Sequence, residues 1–401
     1  MKKRIISTII SCILSLSILA SFNSSVSVWG LDYDETKAFK ESDCYDIPGY
    51  DKKMEAEMAC SEILNMQFNR LVDYWGGEFP DYYAGAYILD KKLHLMFTEI
   101  SDSLKETICS ITGNYSIVFS KATYSYNGLT KLRNSLIEKI QELINENSED
   151  IKSFSSIGID ERNNKILIKI SVNPKENNPL ISLLGEDPRV SYGFQKDPII
   201  QMSSNIMAGF GPVAHNGNNG YSCTISFCAS RYTSSGFTEK GFVVAGHLGN
   251  VNNLISIGGT CVGRITWKKL FDNCDAAFVC IDSFPNSGYV RSNKLSYNYI
   301  IGSTSPVGIV GSVYAMHGSS SGIVYGMVED TSVFHTSMDR NTYATVQLSD
   351  MICMSLHSVD GDSGAPLVKD ASGNVKSVIG TLNSGDGYYA FFRKSETSYQ
   401  A

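Results

Sequence analysis

Gly361-Asp362-Ser363-Gly364-Ala365-Pro366 is the stretch on which the reading of this sequence turns. A hydroxyl is a weak nucleophile until a base takes its proton. Attack on a carbonyl also creates an oxyanion, which needs donors held ready for it. A glycine before the serine lets the backbone turn tightly, so that the amides of Gly361 and Ser363 can serve one small pocket. The plain alternative is an ordinary loop, since Gly, Asp and Ser all form turns, and Ser384-Gly385-Asp386-Gly387 is a second such loop in the same chain.

A base and an orienting acid are therefore sought upstream. Val243-Val244-Ala245-Gly246-His247 carries a histidine at the end of an apolar strand, where an imidazole can face a cleft. The other histidines, His94, His215, His317, His335 and His357, lack that setting. Asp275 opens the apolar run Asp275-Ala276-Ala277-Phe278-Val279. A carboxylate there is partly desolvated, which is costly without a partner such as His247. Asp272 is the nearest rival and reads as a solvated loop acid. The order His247, Asp275, Ser363 matters. No histidine follows Ser363, and position 365 is alanine, so the Gly-x-Ser-x-Gly elbow and its serine-acid-histidine order both fail.

Around these motifs the chain has two textures. From Leu31 to Pro198 helix and strand mix. Leu129, Leu132, Leu136, Ile137, Ile140, Leu143 and Ile144 recur at helical spacing after Gly128. An earlier helix is expected from Lys53 to Tyr74, ending at Gly76-Gly77. Strands are expected at Ala84–Leu89 and Leu93–Phe97, and a hairpin at Ser156–Asp160 and Lys165–Ile170. After Gln201, Gly, Ser, Thr and Asn become frequent and charge thins. Short apolar runs follow at Cys223–Phe227, Gly241–Ala245, Ala276–Ile281, Val307–Val313, Gly322–Val328, Ala365–Val368 and Val378–Leu382. Many short strands separated by turns indicate an all-β sandwich or barrel.

Bulk properties narrow the function. The chain has 401 residues, 43% of them apolar, and a net charge of −7. No basic face for nucleic acid is indicated. Lys2, Lys3 and Arg4 precede the mostly apolar run Ile5–Leu19, with small residues after it. This reads as a signal peptide over residues 1–27, cut after Ser27, and so as a secreted protein with no membrane attachment once it is removed. The run is shorter than the roughly 20 residues a spanning helix needs. Cys223, Cys228, Cys261, Cys274, Cys280 and Cys353 suit up to three disulfides in a secreted domain, with the pairing open. Zinc is disfavoured, because no Cys/His pair follows Cys223 and Cys228 at ligand spacing.

With Val244-Ala245-Gly246-His247, Asp275 to Val279 and Gly361 to Pro366 in this order, residues 204–400 resemble the chymotrypsin-like serine proteases, and within them the bacterial secreted branch of α-lytic protease and the streptogrisins. Ser204-Asn205-Ile206-Met207-Ala208-Gly209 resembles the start of a mature enzyme of that branch. The resemblance implies an all-β catalytic domain over 204–401, built as two six-stranded antiparallel β-barrels. It implies a preceding, smaller α+β pro-region over 28–203 that assists folding and inhibits until removed. It implies His247, Asp275 and Ser363 as the triad, the Gly361 and Ser363 amides as the oxyanion hole, and Thr381–Gly385, with Ser384 and Gly385, as the edge that pairs with substrate. The activity implied is serine-type endopeptidase, with protein or peptide substrates and the chain's own pro-region as partners. A monomer is expected, with no cofactor and no metal.

Activity is expected to fall in acid, because a protonated imidazole cannot accept the serine proton. Departures from the pattern stand at Leu248, where relatives carry a cysteine, after Cys353, which no further cysteine follows, and at Ala365. Asp362 lacks the free chain terminus that holds it in the animal enzymes. His357 and Asp386 are candidates near the specificity pocket or, more simply, solvent-facing loop residues. Two rival readings are an inactive secreted binding protein on a protease fold and a serine esterase.

Overall fold

The computed structural model describes residues 49, 51–146, 148–172, 179–195, 199–201, 213–217, 221–271, 274–283, 300–338, 345–372 and 375–395. Residues 1–27, read above as a signal peptide, Asp272 and the segment Ser204–Gly209 lie outside them. The described residues are mostly strand, with few helices.

Both long helices form where apolar spacing predicts them. The first runs Lys52–Tyr74, and the Asp51 carboxylate accepts the Lys53 and Met54 N–H groups at its start. It buries Met58, Leu64, Phe68 and Leu71 on one face and gives way to Gly76 and Gly77, both at positive φ (72° and 86°). The second runs Tyr126–Asn145 and starts two residues before Gly128 rather than after it. Ser125 is its cap, and the hydroxyl accepts the Gly128 N–H at 3.2 Å, so Gly128 belongs to the first turn. A third helix, Asp102–Thr112, was not among those expected, although Leu104, Ile108 and Ile111 stand at helical spacing; Ser101 caps it and Gly113 ends it in the left-handed region.

Strands Tyr83–Leu89, Lys92–Phe97 and Val118–Lys121 make a small sheet under the first helix. The downstream strands build two larger sheets. One has seven strands in the order Phe227–Tyr232, Thr238–Val244, Cys274–Cys280, Thr260–Phe271, Leu254–Ile257, Val213–Asn216, Tyr221–Thr224, all antiparallel. Phe242, Val244, Ile265, Ala277 and Val279 fill its core. The other has eleven strands. Nine form a path, Val313–Gly318, Pro366–Ser372, Val375–Gly385, Ala390–Lys394, Thr345–Ser355, Gly322–Met338, and then Phe154–Asp160, Lys165–Ile170 and Val190–Phe194, while Ile300–Thr304 and Ile200–Gln201 pair off this path. Among the described residues the two sheets hold seven and eleven strands, where two barrels of six were expected. Part of the excess comes from the upstream hairpin, which joins the second sheet through Phe334↔Ile157 and His335↔Ser156. Among the described residues no ladder joins the two ends of the seven-stranded path.

Several expected strands are longer or displaced. Cys223–Phe227 is broken into two strands at Ile225-Ser226. Val307–Val313 is irregular except at its end, because it runs tightly against neighbours. A Cβ on Gly308 would meet Asn65 at 2.2 Å, and one on Gly311 would meet the Ile88 carbonyl at 2.1 Å. The expected disulfides are not seen among the described residues. The cysteines are distributed over different faces: Cys223 and Cys228 in the core of the seven-stranded sheet, Cys274 in the layer behind it, Cys353 in the second sheet. Burial pushes the thiols of Cys228 and Cys353 up to about 12 and that of Cys274 to about 11, so they are inert as nucleophiles.

The junction between the hairpin and the second sheet contains an acid-sensitive group. His335 is fully buried beside Phe391, with ring centroids 4.4 Å apart, and among the described residues neither ring nitrogen has a hydrogen-bond partner. Burial pulls its pKa down to about 4. The unfolded chain therefore binds this proton more readily than the folded one. The folded state keeps its full advantage above the ordinary value of 6.5 and loses it as pH falls towards 4. The buried carboxyls nearby, Glu161 (pushed up to about 8) and Asp330 (to about 6), act with the opposite sign. They are common to wild type and variant, so they cancel in a comparison. Urea unfolding of the wild type and His335→Leu is expected to show the difference in stability moving against the wild type by up to about 3 kcal/mol between pH 7 and pH 4. A difference that does not move with pH would refute the assignment.

Candidate active site

His247, Asp275 and Ser363 come from three different elements and meet in one buried chain of hydrogen bonds. His247 sits in a single 3₁₀ turn, Gly246–Leu248, directly after the strand Thr238–Val244. Asp275 is the second residue of the neighbouring strand Cys274–Cys280, which pairs with the first through Val244↔Ala277. The turn lies on that strand so closely that a Cβ on Gly246 would meet Asp275 Oδ1 at 2.7 Å. This approach lets Asp275 accept twice from one residue: the His247 backbone N–H donates to Oδ1 at 2.9 Å, and Nδ1 lies 2.6 Å from Oδ2. The carboxylate thus sets both the position and the rotation of the ring. The opposite nitrogen, Nε2, lies 2.6 Å from Ser363 Oγ, close enough for the hydroxyl to donate to it. His247, Asp275 and Ser363 are 4%, 1% and 0% exposed, so their interactions are little screened by solvent.

Ser363 reaches this position because the loop around it is tied on both sides. Its carbonyl accepts the Thr224 N–H at 2.7 Å, and Gly364 donates to the Leu382 carbonyl at 2.9 Å. Gly361 and Gly364 both have positive φ, 97° and 84°. At Gly364 a Cβ would also meet the Thr224 carbonyl at 2.3 Å. Gly364→Ala is expected to displace the serine and lower peptide hydrolysis by at least about 100-fold, the scale of a misplacement of about 1 Å. Retention of wild-type kcat in a folded Gly364→Ala protein would show that the loop is not constrained in this way. Among the described residues, neither the Gly361 nor the Ser363 N–H is taken by a protein acceptor, so both remain available as donors.

The remaining sequence candidates divide cleanly. Ser384 and Gly385 lie at the end of the strand Val375–Gly385. Their ladder is antiparallel to Ile200–Gln201, with Ser384↔Gln201 and Gly385↔Ile200 in register. His357 and Asp386 are loop residues. Asp386 accepts the Tyr388 and Tyr389 N–H groups across its own turn, and His357 Nδ1 lies 2.8 Å from the Gly387 carbonyl. Asp362 has partners that the sequence did not show. Its carboxylate accepts the N–H groups of Ser320 (2.9 Å), Ser321 (3.1 Å) and Val359 (3.0 Å). Asn383 was missed altogether. It is buried, and its side-chain amide donates to Asp275 Oδ2, the oxygen that also faces His247 Nδ1. Its position, one residue before Ser384 in the expected substrate edge, was the only signal available.

No family model matches the sequence. Solved structures similar to part of the chain include a Nocardiopsis protease, at 24% identity and a TM-score of 0.34, covering 48% of this chain and 96% of that one. Thermobifida fusca protease A is similar at 20% identity and a TM-score of 0.33, covering 47% and 91%. Cellulomonas bogoriensis chymotrypsin is similar at 21% identity and a TM-score of 0.34, covering 48% and 94%. These neighbours are bacterial proteases of the chymotrypsin-like kind. The likeness concerns about half of the chain. Among the described residues no helix is long and apolar enough to cross a membrane, and no group of three or more His, Cys, Asp and Glu is placed to hold a metal ion.

Proposed function

We propose that the chain is a secreted serine endopeptidase made as a precursor, with residues 1–27 as signal peptide, 28–203 as pro-region and 204–401 as a trypsin-like catalytic domain of two barrels. The observation that carries this is the continuous contact from Asp275 through His247 to Ser363, with 2.6 Å at each ring nitrogen. In the proposed reaction Ser363 Oγ attacks the substrate carbonyl as its proton passes to His247 Nε2. The imidazolium so formed is stabilised by Asp275, to which Nδ1–H donates. The oxyanion is received by the Gly361 and Ser363 N–H groups. Collapse breaks the carbon–nitrogen bond, and His247 gives its proton to the departing amine. Water, deprotonated by the same imidazole, then hydrolyses the acyl-enzyme and frees Ser363.

The substrate is proposed to lie as an added strand on Ser384 and Gly385. The antiparallel ladder that Ile200 and Gln201 make there supports this mode of binding. It also supports the pro-region as an inhibitor in cis, because chain occupying that edge keeps substrate off it. Intact mass and N-terminal sequencing of the secreted product test the proposal, with wild type and Ser363→Ala compared side by side. A wild-type chain beginning near Ser204 and an uncut mutant are expected. Cutting in both would assign maturation to another protease. An uncut wild type without peptidase or esterase activity would support the binding-protein reading, and ester cleavage without peptide cleavage the esterase one.

A further inference from the structure

A turn of three serines lies against the loop that carries Ser363. Ser319, Ser320 and Ser321 join the paired strands Val313–Gly318 and Gly322–Met338. Besides the two backbone N–H groups that reach Asp362, two of the three hydroxyls are engaged with the same loop. Ser319 Oγ donates to the Gly361 carbonyl at 2.9 Å, and Ser320 Oγ donates to the Asp360 carbonyl at 2.7 Å. Thr224 Oγ1 also donates to the Gly361 carbonyl, at 2.9 Å. The turn can approach this closely only because residue 318 is glycine: a Cβ there would meet Asp362 Oδ1 at 2.2 Å.

The Ser320 contact bears on the oxyanion donor. The Asp360–Gly361 peptide is trans, so its C=O and N–H point in opposite directions. Pinning the Asp360 oxygen to Ser320 therefore turns the Gly361 N–H away from the serine turn. A rotation of this one peptide would withdraw the donor and put a carbonyl oxygen in its place, repelling the negative charge it should receive. Among the described residues, the Asp362 carboxylate in this loop accepts the N–H groups of Ser320, Ser321 and Val359.

We infer that Ser320 is a positioning residue that, through its hydroxyl on the Asp360 carbonyl, holds the Gly361 N–H in the orientation that receives the oxyanion. This rests on the endopeptidase reading above. It is tested with processed enzyme carrying Ser320→Ala, Ser320→Cys, a near-isostere with a poor donor, and Ser320→Thr, which restores the hydroxyl. Losing the orientation of one donor is expected to lower kcat for a peptide substrate about tenfold, with KM changed less than about twofold. Affinity for a peptide aldehyde, whose adduct places an oxyanion in the same pocket, should fall in proportion. Ser320→Thr should recover most of both. A wild-type kcat in folded Ser320→Ala or Ser320→Cys overturns the inference, as does a loss confined to KM. If the alanine variant does not fold, the cysteine variant decides by the same criteria. Absence of peptidase activity in the wild type itself would instead count against the parent reading.

Discussion

Ser363→Ala is expected to lower peptide turnover by about a millionfold, by analogy with the loss seen when the nucleophile of another serine protease is removed. The hydroxyl lies 2.6 Å from His247 Nε2, and among the described residues no second hydroxyl is bonded to that nitrogen. The substitution should cost little in stability. It removes one oxygen whose partner is the imidazole, while the backbone ties of the loop, from Thr224 to the Ser363 carbonyl and from Gly364 to Leu382, stay in place. Rates measured on a fluorogenic peptide, with unfolding followed in parallel, separate the two effects. A variant that kept most of its activity would remove Ser363 from the mechanism.

Asp275→Asn should be the next largest, with kcat down by about ten-thousandfold. In the wild type, one carboxylate faces three donors: the His247 N–H, His247 Nδ1 and the Asn383 amide. A carboxylate meets this demand because it only accepts. An asparagine must turn an NH₂ towards at least one of those donors. With the NH₂ towards Nδ1, the ring is driven to the tautomer that carries its proton on Nε2, where it cannot take one from Ser363. With the NH₂ towards the His247 backbone, the turn that carries the ring is pushed off the strand. Both routes act on kcat rather than on substrate binding, so KM should change little. A loss of under about a hundredfold would mean that Asp275 only helps to pack the turn.

The parts of the site that were legible in the sequence are those with local signatures. A glycine-flanked serine, a histidine ending an apolar strand and an aspartate opening another can each be read within six residues. Long-range polar contacts leave no such mark. Asn383 meets Asp275 across 108 positions, and an asparagine that follows a short apolar run looks like many others. The partners of Asp362 are backbone N–H groups, which every residue but proline possesses, so no residue type could have pointed to Ser320 or Ser321. The same holds for the fold. The helices at 52–74 and 126–145 follow long apolar periodicities, whereas Asp102–Thr112 buries only Ile108 and Thr112. The strands Gly322–Met338 and Thr345–Ser355 were cut short or missed because Glu329, Asp330 and Asp350 interrupt their apolar pattern. Asp330 is tolerated there because Ser332 N–H donates to it at 2.7 Å.

In the proposed reaction His247 activates Ser363 in particular. The most direct test of this is to react the processed protein with a fluorophosphonate and to map the adduct by mass spectrometry, for wild type and His247→Ala. One phosphonyl group per chain is expected, on Ser363, with labelling slowed by several orders of magnitude in His247→Ala. Labelling of a different residue, or equal labelling rates in the two proteins, would contradict it.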